Sequence, residues 1–210
     1  EDFDSKKMLI SSKDMLSIDR YGLYLVEELQ SNIIKDYEAF DFYLAMQKFL
    51  SFCSEDMGGF YLDILKDRLY TTAENSHGRR SAQTALFHIT QSLIRLMAPV
   101  LSFTAEELWN VVNKDNKSTI FVENWYELPS HDLSEKELLG WQHALNVRNL
   151  ANKKIEALRE EGTVGSSLQA EVKISAPLDI YKSLSFFDNE LKYILITSNS
   201  TLEESQKDLE

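Results

Sequence analysis

The chain has 210 residues, a formal net charge of -12 and a hydrophobic share of 43%. This is enough apolar material for one large domain or two small ones, and too much for a disordered tail. The acidic balance argues against tight autonomous binding to nucleic acid, because most non-specific affinity comes from Lys and Arg neutralising phosphates.

The 11 Phe, 9 Tyr and 3 Trp are packing material, while 7 Gly and 3 Pro leave little for a turn-rich β-sandwich, so a mainly α fold is expected. Cys53 stands alone and cannot form an internal disulfide. The sequence holds neither a signal-peptide pattern nor an apolar run long enough to cross a membrane. A cytoplasmic protein without a membrane partner is the expectation. The opening Glu1-Asp2-Phe3-Asp4, with no initiator Met, reads as the edge of an excised piece of a longer protein.

Residues 1–16 are polar and mixed in charge, a linker or fragment edge. From Ser17, the residues Tyr21, Leu25, Leu29 and Ile33 recur at helical spacing, with Asp19 as a cap near the start. Phe42 and Tyr43, Met46, Phe49 and Leu50, and Cys53 repeat the 3.6-residue period and predict a second amphipathic helix from about Glu38 to Glu55, punctuated by Gly58-Gly59. A third helix, roughly Phe60 to Thr71, has one stripe of Tyr61, Ile64, Leu65 and Arg68 and a polar one of Asp63, Lys66, Asp67 and Tyr70. After a loop, a fourth begins at Arg79 or Arg80, buries Ala82, Ala85, Leu86, Ile89, Leu93, Leu96 and Met97, and ends or kinks at Pro99. Thr104 with Glu107 predicts a capped helix to Val112, Asn113 to Ser118 breaks the pattern, and Thr119 to Trp125 is β-like. Together 17–130 form a helical bundle.

Ser134 with Glu137 is a second capping-box signature and starts a long helix, the core of segment 131–162. Its inward stripe is Trp141, Ala144, Leu145, Ala151, Ile155 and Leu158, and Gly162 stops it. Segment 163–198 reads as a small α+β subdomain: a strand at Gln169 to Ser175, a short helix from Leu178 to Phe187 and an apolar strand at Lys192 to Thr197. Residues 199–210 are an acidic, frayed tail.

No catalytic constellation stands out. His77, His88, His131 and His143 lack metal-helix spacing, and no phosphate-cradling Gly loop or nucleophile elbow is present. The polar stripe of the third helix most simply forms intrahelical ion pairs, with Lys66 a minor phosphate candidate. Residues 61–100 carry 5 bases against 3 acids, whereas 1–60 carry 6 against 12, so one basic island sits in an acidic chain. Within it Arg79 and Arg80, beside His77 and Gly78 and followed by Gln83, put donors at a helix start, where amides and dipole favour anions. The rival reading is an arginine couple paired with carboxylates. Arg148 interrupts the long helix's apolar stripe and is either ion-paired inside or at a boundary. Trp109, Trp125 and Trp141 read as core or junction residues.

Several ordered runs resemble isoleucyl-tRNA synthetases, in the region after the catalytic core. They are Phe52-Cys53, Phe60-Tyr61-Leu62-Asp63-Ile64, Lys66-Asp67-Arg68-Leu69-Tyr70 and Arg79-Arg80-Ser81-Ala82-Gln83-Thr84. Leu96-Met97-Ala98-Pro99 through Glu106-Glu107-Leu108-Trp109 is shared more loosely with related class I enzymes. Val147-Arg148, Ile155-Glu156-Ala157-Leu158-Arg159 and Gly165-Ser166-Ser167-Leu168-Gln169-Ala170 resemble the isoleucyl branch in particular. The valyl enzymes are the nearest alternative and lack this Gly-Ser-Ser-Leu tract. Gly58-Gly59 departs from the family, which often has a Ser able to cap the helix near Phe60.

The resemblance implies a class I anticodon-binding bundle, a long connecting helix and an α+β piece that position the anticodon stem-loop of tRNA-Ile. Phosphate contacts are expected at Arg79 and Arg80, and more weakly at Lys66, Gln83 and Arg148. ATP with magnesium would serve the parent enzyme only, since the family's His-Ile-Gly-His and Lys-Met-Ser-Lys-Ser signatures are absent from these residues. Zinc would belong to a C-terminal module of the parent, and the catalytic and C-terminal domains would be partners alongside tRNA. The rival from another class is a helical module binding protein through exposed apolar faces.

Overall fold

The computed structural model describes residues 3–113, 118–187 and 190–205, the side chain of Asp67 excepted. Its contacts divide the chain into two units, Glu1–Asp132 and Leu133–Glu210.

The first unit is a helical bundle. Helix α1, Ser17–Glu38, turns Ile18, Tyr21, Val26, Leu29 and Ile33 into the core and packs on both α2, Phe42–Ser51, and α4, His77–Met97. Between α2 and α3, Leu62–Tyr70, no break occurs at Gly58-Gly59. The backbone instead runs on as a π-helix over Phe52–Tyr61, burying Phe52, Met57, Phe60 and Tyr61. Widening the turn from 3.6 residues re-phases the apolar positions, so one continuous rod keeps facing the core where an α-helix would have rotated them away. Pro99 stops α4 as expected. Helix α5, Ser102–Val112, starts two residues before the predicted Thr104 cap, with Leu101 at the N-cap and no side chain capping it.

Residues 119–125 contain no strand. Ile120–Val122 form a 3-10 turn, pinned by the Glu106 carboxylate, which accepts from Thr119 Oγ1 (2.9 Å) and the Ile120 amide (3.0 Å). A β-like composition needs a partner edge, and among the described residues of this unit none is offered. Residues 3–16 are not a loose linker either. The Leu16 amide donates to Ser81 Oγ (2.8 Å), the Ile10 amide to Thr84 Oγ1 (3.3 Å), and Met15 is buried. The segment lies along α4.

Asp19 is not a cap. It is fully buried and accepts hydrogen bonds from Tyr61 Oη (2.8 Å), from Arg68 Nη1 and Nη2 (2.8 Å each) and from Ser81 Oγ. One carboxylate thereby ties α1 to the end of the π-helix, to α3 and to α4. Gly22, one turn further along α1, makes room for it: a Cβ there would meet the Tyr61 ring at 3.0 Å. Burial, and then the Asp19 charge, push the Tyr61 phenol well above its ordinary range.

Burial, and then the neighbouring Tyr24 and Asp56, also push the Tyr21 phenol up to about 12. Its folded pKa therefore exceeds the unfolded value of about 10, so the fold favours the neutral form. That stability is fully present below pH 10 and is lost as pH rises from 10 to 12. Urea unfolding should show a loss between pH 9 and pH 12 that is about 2 kcal/mol larger in the native chain than in Tyr21→Phe. Identical losses in the two would refute this.

The second unit is built on α6, Glu135–Glu160. Its capping box forms as predicted, with Glu137 Oε2 accepting from the Ser134 amide at 2.8 Å and Ser134 Oγ from the Glu137 amide at 3.3 Å. Gly162, at φ 74°, supplies the left-handed stop, and the Thr163 amide reaches back to the Leu158 carbonyl (2.9 Å). Leu158 itself is 38% exposed, so the buried stripe ends at Ile155.

Helices α7, Leu178–Leu184, and α8, Leu191–Leu195, pack on α6. Strand β1, Glu171–Ala176, pairs in parallel with β2, Asn199–Glu204, in the register Glu171↔Asn199 to Ala176↔Glu204. The predicted strand at Lys192 to Thr197 is thus α8 plus a left-handed Ile196 (φ 55°), and the strand falls in the segment read as a frayed tail. A short apolar run such as Tyr193 to Ile196 fits either helix or strand by pattern alone. The acidic β2 is tolerated because Glu203 meets Lys173 Nζ (2.9 Å) and Ser175 Oγ (2.7 Å) across the ladder.

Candidate nucleic-acid interface

The predicted Arg79, Arg80 and Gln83 come together on the first turns of α4, where Ser76 is the N-cap and its Oγ accepts from the Arg79 amide (3.4 Å). Their donors, however, reach the α3–α4 loop. Arg79 Nη1 donates to the Thr72 carbonyl (3.2 Å), Arg80 Nη1 to Gln83 Oε1 (2.6 Å) and Arg80 Nη2 to Asn75 Oδ1 (3.1 Å). Both side chains are half-buried. These hydrogen bonds tie the loop to the helix through amide and carbonyl acceptors.

Lys66 stays on α3 and pairs with Asp63 at 2.6 Å, whose hydrogen bond and charge raise the ammonium pKa. The Asp67 part of that stripe lies outside the described side chains. Arg148 belongs to the second unit, is 8% exposed, and donates to the Ile194 carbonyl, bracing α6 against α8. It sits inside, one of the two positions expected of it, and its burial leaves little guanidinium to present to a phosphate.

The most exposed aromatic feature of the first unit was missed in the sequence. Helix α1 ends in a Schellman turn, with Asp41 N donating to the Asp36 carbonyl (2.8 Å) and Phe40 N to that of Tyr37 (3.1 Å). The residue in the left-handed position is Phe40, at φ 62°, and its ring is 80% exposed. A non-glycine there costs about 1–2 kcal/mol. From it runs a line of rings: Phe40 to Phe42 at 6.3 Å, Phe42 to Tyr37 at 5.5 Å, and Tyr37 stacked on Trp125 at 6.1 Å and 13°. Tyr37 is anchored through its hydroxyl, which donates to the Leu96 carbonyl (2.7 Å). Tyr43, beside them in sequence, is 78% exposed.

Helix α2 accordingly does not bury its predicted stripe. Ala45 and Phe49 face the core, whereas Phe42, Tyr43 and Leu50 face solvent. The signal available in sequence was aromatic excess: Tyr37-Glu38-Ala39-Phe40-Asp41-Phe42-Tyr43 holds more rings than one helix face can cover. Of the three tryptophans, Trp109 and Trp141 are buried as expected, but Trp125 is 40% exposed.

Beside Trp125 opens a cleft of about 360 Å³, lined by Arg95, Ala98, Pro99, Ser102, Phe121 and Glu123 among others. Arg95 is fixed between the rings of Trp109 (4.7 Å) and Tyr126 (5.1 Å), and Glu123 approaches it at 3.6 Å. The aromatic line and the arginine couple mark opposite ends of α4: 17 residues from Arg79 to Leu96 correspond to about 25 Å of helix. Among the described residues, no group of three or more His, Cys, Asp or Glu is arranged to hold a metal ion, and no helix is long and apolar enough to cross a membrane.

Residues 19–174 match the family described as the anticodon-binding domain of tRNA ligase, and the chain belongs to that family. Its curated relatives include the isoleucine--tRNA ligases of Janthinobacterium sp. (47% identity over 204 residues, 95% of this chain), Cupriavidus pinatubonensis (45% over 203 residues, 96%) and Chromobacterium violaceum (43% over 208 residues, 97%). The chain spans only 21–22% of the length of those relatives.

Proposed function

We propose that this chain is the anticodon-binding part of an isoleucine--tRNA ligase and that it positions the anticodon stem-loop of tRNA-Ile. The whole enzyme would join isoleucine to that tRNA in the cytoplasm, using ATP and magnesium bound by other parts of the polypeptide. Those parts, including any zinc module, would be its partners. Identities of 43–47% to proteins of that name support the isoleucyl over the valyl reading.

The observation that carries RNA binding is the exposed line from Phe40 to Trp125. Unpaired bases are recognised by stacking on aromatic faces, which works without a strongly basic surface and so suits a chain of net charge -12. Backbone strain retained under an exposed ring points the same way, because nothing in the bundle's packing calls for Phe at position 40.

A salt titration of the chain with tRNA-Ile and with an unrelated tRNA tests this reading: preferential binding of tRNA-Ile that weakens with salt is expected, and no binding to either at low salt would sink it. Phe40→Gly sharpens the test. Relief of the left-handed strain should stabilise the first unit by about 1 kcal/mol, while loss of the ring should weaken tRNA binding roughly tenfold. A variant that gains stability but binds as before would remove Phe40 from the interface.

A further inference from the structure

We infer that the open edge of β1 takes a further strand from the parent polypeptide outside these residues, an inference that rests on reading the chain as one part of a longer ligase. Among the described residues the sheet has two strands, and they run parallel. Parallel strands occur almost only in sheets covered on both faces, and a two-stranded sheet is marginal by itself. The ladder shows which backbone groups are left over. The carbonyls of Ala170 and Ala176 accept from the amides of Ser198 (3.0 Å) and Ser205 (2.8 Å), so the even-numbered residues of β1 turn their backbone groups to β2. Backbone groups alternate sides along a pleated strand, and Glu171, Lys173 and Ser175 therefore aim theirs the other way.

A slot for a side chain opens on that side. It is lined by α6 and β1 with no contribution from the described residues of β2: Val147, Leu150 and Ala151 meet Val172 and Ile174, and Lys154 and Lys173 complete it. At about 50 Å³ the slot is several times smaller than a small-ligand site and suits one aliphatic side chain. An unpaired edge beside an apolar slot is the arrangement that recognises an added strand, in which main-chain hydrogen bonds give affinity and side chains entering pockets give specificity. The ammonium groups of Lys154 and Lys173 favour an acidic residue next to the entering apolar one. The occupant is a segment of the same polypeptide. The relatives match 95–97% of this chain, which spans only 21–22% of their length, so most of such a protein lies outside and can supply a strand. An edge kept for a separate protein would stand open to self-association whenever that protein was absent, a hazard that a strand supplied in cis removes.

Hydrogen exchange of the β1 amides, compared between this chain and the full-length polypeptide, tests the inference. In the chain alone the Lys173 and Ser175 amides should exchange fast, while that of Ile174, which faces β2, is protected. In the full-length protein both edge amides should slow by roughly tenfold or more. Lys173→Pro removes an edge donor and no donor to β2, and its ring blocks pairing on the open side. In the full-length protein this variant should return Ser175 to fast exchange while Ile174 stays protected; should Ile174 also be lost, the two native proteins decide. Fast exchange of Lys173 and Ser175 in the native full-length protein overturns the inference, and so does a Ser175 that stays slow in a folded Lys173→Pro variant, since mere covering would survive the proline. Slow exchange in the chain alone also overturns it: slowing that grows with concentration means that a second copy fills the edge, and slowing that does not means that the chain covers its own edge. None of these measurements involves RNA. A full-length protein that fails to charge tRNA-Ile would sink the ligase reading and leave the edge to be judged by exchange.

Discussion

Asp19→Ala should destabilise the first unit by about 3–5 kcal/mol, measured as a fall in the urea midpoint. The carboxylate is wholly buried, and removing it leaves three groups behind: a guanidinium 18% exposed, the Tyr61 hydroxyl and the Ser81 hydroxyl. The guanidinium loses the carboxylate that accepts from both its Nη1 and Nη2, and each of the two hydroxyls loses an acceptor worth about 1–3 kcal/mol. The double variant Asp19→Asn with Arg68→Met should recover part of the loss, since it removes both charges together. A cost below about 1 kcal/mol for the single variant would show that water or another acceptor reaches Arg68 readily.

Trp141→Ala should cost the second unit a similar amount, about 3–5 kcal/mol. Trp141 has no exposed surface and meets Phe187 edge-on at 4.7 Å and 70°, with Gly140 against the Ser183 carbonyl next to it. Truncation would remove the largest side chain of a small core that includes Leu184, Phe187, Leu191 and Ile194. Trp141→Phe should cost less because the ring contact survives in part. Near-equal unfolding midpoints for the Ala variant and the native chain would mean that this core is not what holds the unit.

Most elements with a complete local signature were legible in the sequence, the Thr104–Glu107 box being the exception. The α6 capping box, the Gly162 stop and the Pro99 terminus each depend on a few neighbouring residues, and each sits where the pattern put it. Elements that depend on distant partners were not. Thr119 to Trp125 has strand composition but no partner edge among the described residues, whereas the polar residues 199–204 form a strand on the edge that β1 offers. The π-helix escaped notice for a related reason: Gly58-Gly59 is a break by local propensity, and only burial of Phe60 and Tyr61 carries the helix through it.

The site divides in the same way. Arg79, Arg80 and Gln83 are grouped by sequence spacing on one helix, so their proximity could be foreseen; that their donors turn back to Thr72, Asn75 and one another could not. Tyr37 and Trp125 are 88 positions apart in sequence and are stacked only through the bundle.

By itself, then, the sequence determined a mainly helical chain, the ends of its long helices and, through ordered motifs, its family, because these rest on composition, periodicity and contiguous residues. The tertiary structure alone decided that Asp19 is a buried hub, that residues 199–204 form a strand, and that Phe40, Phe42, Tyr37 and Trp125 line up. Each of those depends on which surfaces remain once the core has closed, and burial is a property of the whole fold that no local pattern encodes.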